Sequence, residues 1–315
     1  MRNLFVAALV IGVGGYFGAK LFIQHKAEHD LDGLLEQARP FVDVEYERVV
    51  ATMKGELRAE GLTIRITQFD DAFTIDSVGL QTPGFLYLLG FDRRELELPE
   101  SLGVEIRGMR TDPDADFMRK LDEYETAQSV AVMAADSTPA DQCIGASGLT
   151  PLSLKQLGYH ELVVDFDVRF HREEQHLVLE FGTHVEDAYA LDVAVTLANL
   201  GDPTALARGA QPLLVKGRLD YTDHSLNARI LKHCADQQVA PEDVIAAQLR
   251  EIQAVARESG IELDAMITDP YTEFLRGKRR FTLTSAPTRP VDLTTVSLYK
   301  PSDVPNLLNL MAEAG

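Results

Sequence analysis

Between Leu162 and Phe170 the chain alternates: Leu162, Val164, Phe166, Val168 and Phe170 lie on one parity, and Asp165, Asp167 and Arg169 on the other. Successive side chains of a strand point to opposite faces, so this pattern reads as a half-buried β-strand. It recurs three times. Leu177, Leu179 and Phe181 follow a polar turn at residues 171–176, and Leu191, Val193, Val195 and Leu197 follow a second turn at residues 187–189. Residues 215–221 supply the fourth strand. Sequential strands joined by short polar turns form an antiparallel meander, and its apolar face needs a cover.

The cover is expected to be helical. Residues 223–237 place Leu226, Ile230 and Leu231 on one side. Pro241 opens a helix with Val244, Ile245, Leu249, Ile252 and Val255 as its stripe, ended by Gly260. A short helix is expected through Leu275, strands at residues 279–285 and 291–298, and a closing helix at residues 302–314 around Leu307, Leu308 and Met311. Upstream, alternation at Leu62, Ile64 and Ile66, at Phe73 and Ile75, and at Leu102, Val104 and Ile106 reads as further strands. Residues 114–135 read as a helix, and the Ser-, Pro- and Gly-rich residues 136–150 as a loop.

Residues 4–19 carry no charge, and after Lys20 the apolar run continues through Leu21, Phe22 and Ile23. A helix over residues 4–23 is about 30 Å long, enough to span a bilayer core. The expected fold class is therefore α+β: an N-terminal transmembrane helix, then antiparallel β-meanders covered by helices. The domains expected are a signal anchor at residues 1–26, a β-rich subdomain with helices at 27–135, and an α+β subdomain at 136–315. The last holds the meander at 160–221 and the helical cover at 223–277. Gly14 and Gly18 form a GxxxG pair, a candidate for helix packing in a homodimer. An anchor followed by one long domain usually exports it, so the expected location is the inner membrane, single-pass, with the main domain in the periplasm.

The formal net charge of -19 argues against a nucleic-acid partner, because no basic, aromatic-bearing stretch offsets the repulsion from phosphate. The two cysteines, Cys143 and Cys234, are read either as one disulfide or as two separate thiols. One basic run stands out, Arg276, Lys278, Arg279 and Arg280; it is a candidate contact for an anionic partner or the basic end of a helix.

Catalytic templates are missing. There is no HExxH and no Walker loop, and residues 145–148 (GASG) lack the GxSxG spacing. Asp220, Asp223 and His224 fall at a strand-to-helix junction, where they read as a tuned proton donor or, more simply, a helix cap. No catalytic residue, cofactor or metal ligand is assigned.

The anchor, the segments Gly55-Glu56-Leu57 and Gly61-Leu62-Thr63-Ile64, the segment Leu157-Gly158-Tyr159-His160-Glu161-Leu162 with its following strands, and Leu219-Asp220-Tyr221-Thr222-Asp223-His224-Ser225-Leu226 together resemble membrane-anchored proteobacterial envelope proteins of the YdgA-like and AsmA-like type. That resemblance implies a β-rich periplasmic body of unknown activity, with lipid movement linked to the AsmA-like members. The function expected is non-enzymatic binding of an envelope protein or lipid. An envelope hydrolase assembled only in the fold and a structural scaffold are the alternatives.

Overall fold

The computed structural model describes residues 42–51, 54–66, 71–84, 87, 99–116, 118–120, 123, 138–144, 151–200 and 209–315. The chain divides into two compact units: Met1–Thr111 with Val163–Arg172, and Asp112–Leu162 with Glu173–Gly315.

The first unit holds β1 (Val42–Glu45), β2 (Arg48–Ala51), β3 (Glu56–Ile66), β4 (Asp71–Gln81), β5 (Ser101–Thr111) and β6 (Leu162–Glu173). Their order is β1-β3-β4-β5-β6, with β2 also on β3. Leu57 faces Leu80 across the β3–β4 ladder and Ala59 faces Val78, with Val104 and Ile106 continuing the apolar rows on β5. Beyond Gly61 the apolar parity changes to Leu62 opposite Ile75 and Ile64 opposite Phe73. The line where the phase changes runs through Gly61 and Gly108, both with left-handed φ (65° and 59°). At Gly108 a side chain has no room: a Cβ would collide with the Asp76 carboxylate. That carboxylate is ion-paired with Arg110, and the Gly108 N–H donates to Asp165 Oδ1 at 2.7 Å.

The second unit holds β7 (His176–Val185), β8 (Tyr189–Ala198), β9 (Leu213–Asp223), β10 (Arg280–Ser285), β11 (Val291–Asp292) and β12 (Leu310–Ala314). The order is β7-β8-β9-β10-β12, with β11 also on β9. Its helices are α1 (Pro139–Ile144), α2 (Pro151–Gln156), α3 (Leu226–Asp236), α4 (Pro241–Glu258), α5 (Ala265–Leu275) and α6 (Val304–Leu307). Register decides which face is covered. Phe181, Val193, Leu219 and Leu283 form one apolar row, and Leu191, Tyr221 and Phe281 form the next. Ile245, Phe274 and Leu275 of α4 and α5 pack on Phe281, with Leu219, Tyr221, Leu231 and Tyr271 around them. Aromatic edges meet faces there, Tyr221 to Phe274 at 5.4 Å and Tyr271 to Phe281 at 5.5 Å, geometries favoured by the ring quadrupole. Burial pushes the Tyr271 hydroxyl up to about 12. A second core gathers Leu197, Leu200, Leu214, Val291, Val304 and Leu308.

Several expectations are corrected. The fold is mostly antiparallel β-sheet rather than a membrane helix followed by an α+β body. Among the described residues no helix is long and apolar enough to cross a membrane. The longest, α4, has 18 residues and carries Glu242, Asp243, Arg250, Glu251, Arg257 and Glu258. A single-pass inner-membrane location therefore has no described helix to support it, and residues 4–23, with Gly14 and Gly18, lie outside the described residues. Residues 139–144, expected as loop, form α1. Thr138 and Asp141 cap each other there: the Thr138 hydroxyl donates to the carboxylate at 2.6 Å and accepts the Asp141 N–H at 3.3 Å, with Pro139 at the first helical position. Residues 310–314, expected as helix, form β12, because Asn309 turns left-handed (φ 46°) and the ladder with β10 takes over. Only Val291–Asp292 of the expected strand pairs; the Asp292 carboxylate then accepts from Thr294 N at 2.8 Å and starts a 3-10 helix, Leu293–Leu298.

Gly108→Ala would combine a left-handed alanine with a collision against a paired carboxylate. The expected loss is about 2 kcal/mol or more in urea denaturation; an unchanged midpoint would show that this line of the sheet tolerates a side chain.

Candidate functional site

The second unit has a cleft of about 580 Å³ bounded by the start of α1, the α3–α4 connection and one side of α4. Thr138, Pro139 and Ala140 line the first wall; Gln237, Gln238 and Val239 the second; Asp243, Ala246 and Arg250 the third. Each wall is shaped by a local device. The N–H of Gln238 donates to Ala235 O and that of Val239 to Cys234 O, with Gln238 left-handed at φ 65°. These paired bonds close the C-terminal end of a helix and turn the chain sharply. Pro241 then opens α4, whose Val244, Ile245 and Ala247 are buried while Asp243 and Ala246 stay exposed in the cleft.

Two bonds and one buried side chain hold α1 against this frame. Cys143 and Cys234 form a disulfide with their Cα atoms 5.7 Å apart, closing a separation of 91 residues. Arg250 Nη2 donates to Asp141 Oδ1 at 2.9 Å, and Ala140 is buried. Hydrogen bonds from Thr138, and then from Arg250, hold the Asp141 carboxyl below its ordinary range. The disulfide sits about one helical turn from both Ala140 and Gln237, so it sets the spacing of the first two walls.

The junction of β9 with α3 is a second polar centre. Ser225 Oγ is shared between Tyr159 Oη at 3.1 Å, Arg229 Nε at 3.0 Å and the Asp187 carbonyl. Arg229 also donates to the carbonyls of Leu157 and Gly158 at 3.1 and 3.2 Å, and lies 4.3 Å over the Tyr159 ring. Asp223 Oδ1 accepts the Asn227 N–H at 3.0 Å, but the N-cap position is held by Ser225 rather than by Asp223 as expected, so Asp223 satisfies a first-turn donor from two residues upstream of the cap. Burial raises its pKa. His224 points elsewhere: its ring meets that of His184 edge to face, centroids 5.6 Å apart. The side chains of Asp223, His224 and Ser225 thus make separate hydrogen bonds and ring contacts, although Asp223 and His224 interact electrostatically.

Asp220 is bound up as well. Its carboxylate takes hydrogen bonds from Arg218, from Thr282 Oγ1 at 2.7 Å and from Arg280 Nη2 at 2.7 Å. Arg218 is the largest cause holding it well below the usual carboxylate range, with Thr282 and Arg280 adding. The basic run is accordingly divided. Arg280 belongs to Asp220, and Arg276 pairs with Glu242 at 2.9 Å. Lys278 and Arg279 are exposed, and Arg279 acts electrostatically on Asp223. In the first unit Arg107 is ringed by Glu105, Asp165 and Asp167, which raise its pKa, Glu105 most.

Among the described residues no set of three or more His, Cys, Asp or Glu side chains is placed to hold a metal. The cleft residues Gln237, Asp243, Ala246 and Arg250 carried no motif; Pro139 and Pro241, each opening a helix beside the cleft, were the only local signals. A protein family described as "Uncharacterized protein" matches residues 183–315. No curated protein matches the chain. The matched part contains the α3 and α4 walls and Cys234, while α1 and Cys143 precede it.

Two outcomes are expected. Closing a 91-residue separation is worth about 4–5 kcal/mol of chain entropy. Reductant should therefore lower the denaturation midpoint of the native chain strongly and leave a Cys143→Ser/Cys234→Ser variant unmoved. The second concerns pH. The folded pKa of Asp220 is depressed, so its stabilisation is complete above the unfolded value and is lost as pH falls through the folded one. Asp220→Asn should cost about 2 kcal/mol at pH 7, and the gap to the native chain should shrink steadily below pH 4 in denaturation series.

Proposed function

We propose that the second unit is a non-enzymatic binding module whose cleft receives a segment of a protein partner. The observation that carries this reading is the bracing of the cleft: its walls are cross-linked by Cys143–Cys234 and clamped by Arg250–Asp141, while Asp243 and Ala246 stay open to solvent. A preformed site loses little conformational freedom on binding.

The lining selects among ligands. An acyl chain laid in the cleft would strip water from Gln237, Gln238, Asp243 and Arg250 without returning hydrogen bonds, which is costly. A peptide backbone offers N–H and C=O groups to the same side chains, and Pro139, Ala140, Val239 and Ala246 accept its apolar parts. The polar centres outside the cleft favour a structural role over catalysis. Ser225 has Tyr159, Asp187 and Arg229 as partners rather than an imidazole, and Asp220 is saturated by cations.

Photo-crosslinking tests this directly. A photoreactive residue at Ala246, in the cleft, is expected to give a discrete protein adduct in the source cells, and the same residue at exposed Ala228 is not. Adding Arg at position 239 in place of Val239 should abolish the adduct. Lipid adducts, or equal yields from Ala246 and Ala228, would overturn the reading.

A further inference from the structure

We propose that His184 and His224 form an open surface site for a divalent transition-metal ion of the Cu²⁺ or Zn²⁺ class. The site is separate from the cleft and does not depend on the reading given to it.

The two imidazoles are brought together by backbone, not by each other. His184 lies at the end of β7, opposite Ala190 of β8, which in turn faces Thr222 of β9. His224 is the first residue after β9. Its N–H donates to the carbonyl of Ala188 at 2.9 Å, and the Ser225 N–H donates to the same oxygen at 3.2 Å. Ala188 is fully buried in the turn that leaves β7. The turn and the start of α3 are therefore tied, and the two Cα positions are held while both side chains remain exposed. Ala190, the cross-strand neighbour of His184, carries only a methyl group.

The spacing fits a shared ion. A metal 2.0–2.1 Å from a ring nitrogen lies about 3.2 Å from the ring centre, so two imidazoles on one ion have centroids about 5.2 Å apart at a tetrahedral angle and about 6.4 Å apart when opposite. The observed 5.6 Å lies between these limits. The rings stand at 85°, and exposed imidazoles turn about χ1 and χ2 at little cost. The surroundings favour a cation: Glu186 and Asp187 lie in the turn between the two elements, and Asp223 interacts electrostatically with His224. Arg279 is the opposing charge on Asp223. Two imidazoles leave the remaining positions on the ion to water or to a donor on another molecule, and imidazole suits Cu²⁺ above Zn²⁺.

The test uses the full chain with any affinity tag removed, titrated with Cu²⁺ and with Zn²⁺ by calorimetry. The native chain is expected to bind one equivalent that His184→Ala and His224→Ala each weaken by at least about tenfold, with no further loss in the double variant. His233→Ala, which removes an imidazole paired with Gln237, is expected to leave that equivalent unchanged. Circular dichroism of each variant confirms that it is folded. The ion should also raise the melting temperature of the native chain, because it links β7 to the β9–α3 junction, and should leave the double variant unmoved. Equal affinity in native chain and single variants, dependence on only one of the two histidines, or equal weakening by His233→Ala would overturn the proposal.

Discussion

Strand β9 is the element on which the second unit depends. Its backbone is bonded to β8 on one side and to β10 and β11 on the other, so it supplies ladder partners to three strands. Its side chains separate two chemistries by parity alone. Leu219 and Tyr221 enter the aromatic core under α4 and α5, while Arg218 and Asp220 form the charged network with Arg280 and Thr282 on the other face. A shift of one residue would bury that network and expose the core, so the register is strongly specified. The end of β9 then places Asp223, His224 and Ser225, which start α3 and connect the sheet to the turn at Ala188.

The helices built on this sheet are positioned by bonds that the meander does not provide. The α3 helix is followed by a left-handed Gln238, and the two residues between it and Pro241 lead into α4, whose Ile245 packs on the sheet. The short helix α1 has six residues, too few to be stable by itself in water. It persists because Thr138 caps it, Ala140 is buried, Arg250 pairs with Asp141, and the disulfide joins it to α3. The cleft is a consequence of that tethering.

Much of the sheet was legible. The alternation at residues 162–170, 177–181, 191–197 and 215–221 forms β6 to β9, since a two-residue apolar repeat has no other regular way to be half-buried. The stripe beginning at Val244 and the opening Pro241 read out α4 in the same way. Legibility fell where a local pattern had two solutions. Leu307, Leu308 and Met311 suit a helix, yet Leu310, Ala312 and Ala314 suit a strand equally, and pairing with β10 chose the strand. Val291 and Leu293 look like alternation, but the side chain of Asp292 caps a 3-10 helix instead. The basic run from Arg276 to Arg280 looked like a patch because sequence hides the carboxylates of Glu242 and Asp220 that neutralise part of it.

By itself, the sequence determined that residues 162–170, 177–181, 191–197 and 215–221 would be strands, where α4 begins, and that the net charge is strongly negative. These depend on interactions between near neighbours along the chain, where side-chain periodicity and capping are written directly. Tertiary structure alone decided that Cys143 meets Cys234 across 91 positions, that Ser225 is enclosed by Tyr159 and Arg229 rather than by its neighbour His224, and that His224 faces His184. Each of these joins residues from different elements, and their meeting follows from sheet register and from the direction of a turn, neither of which has a local signature.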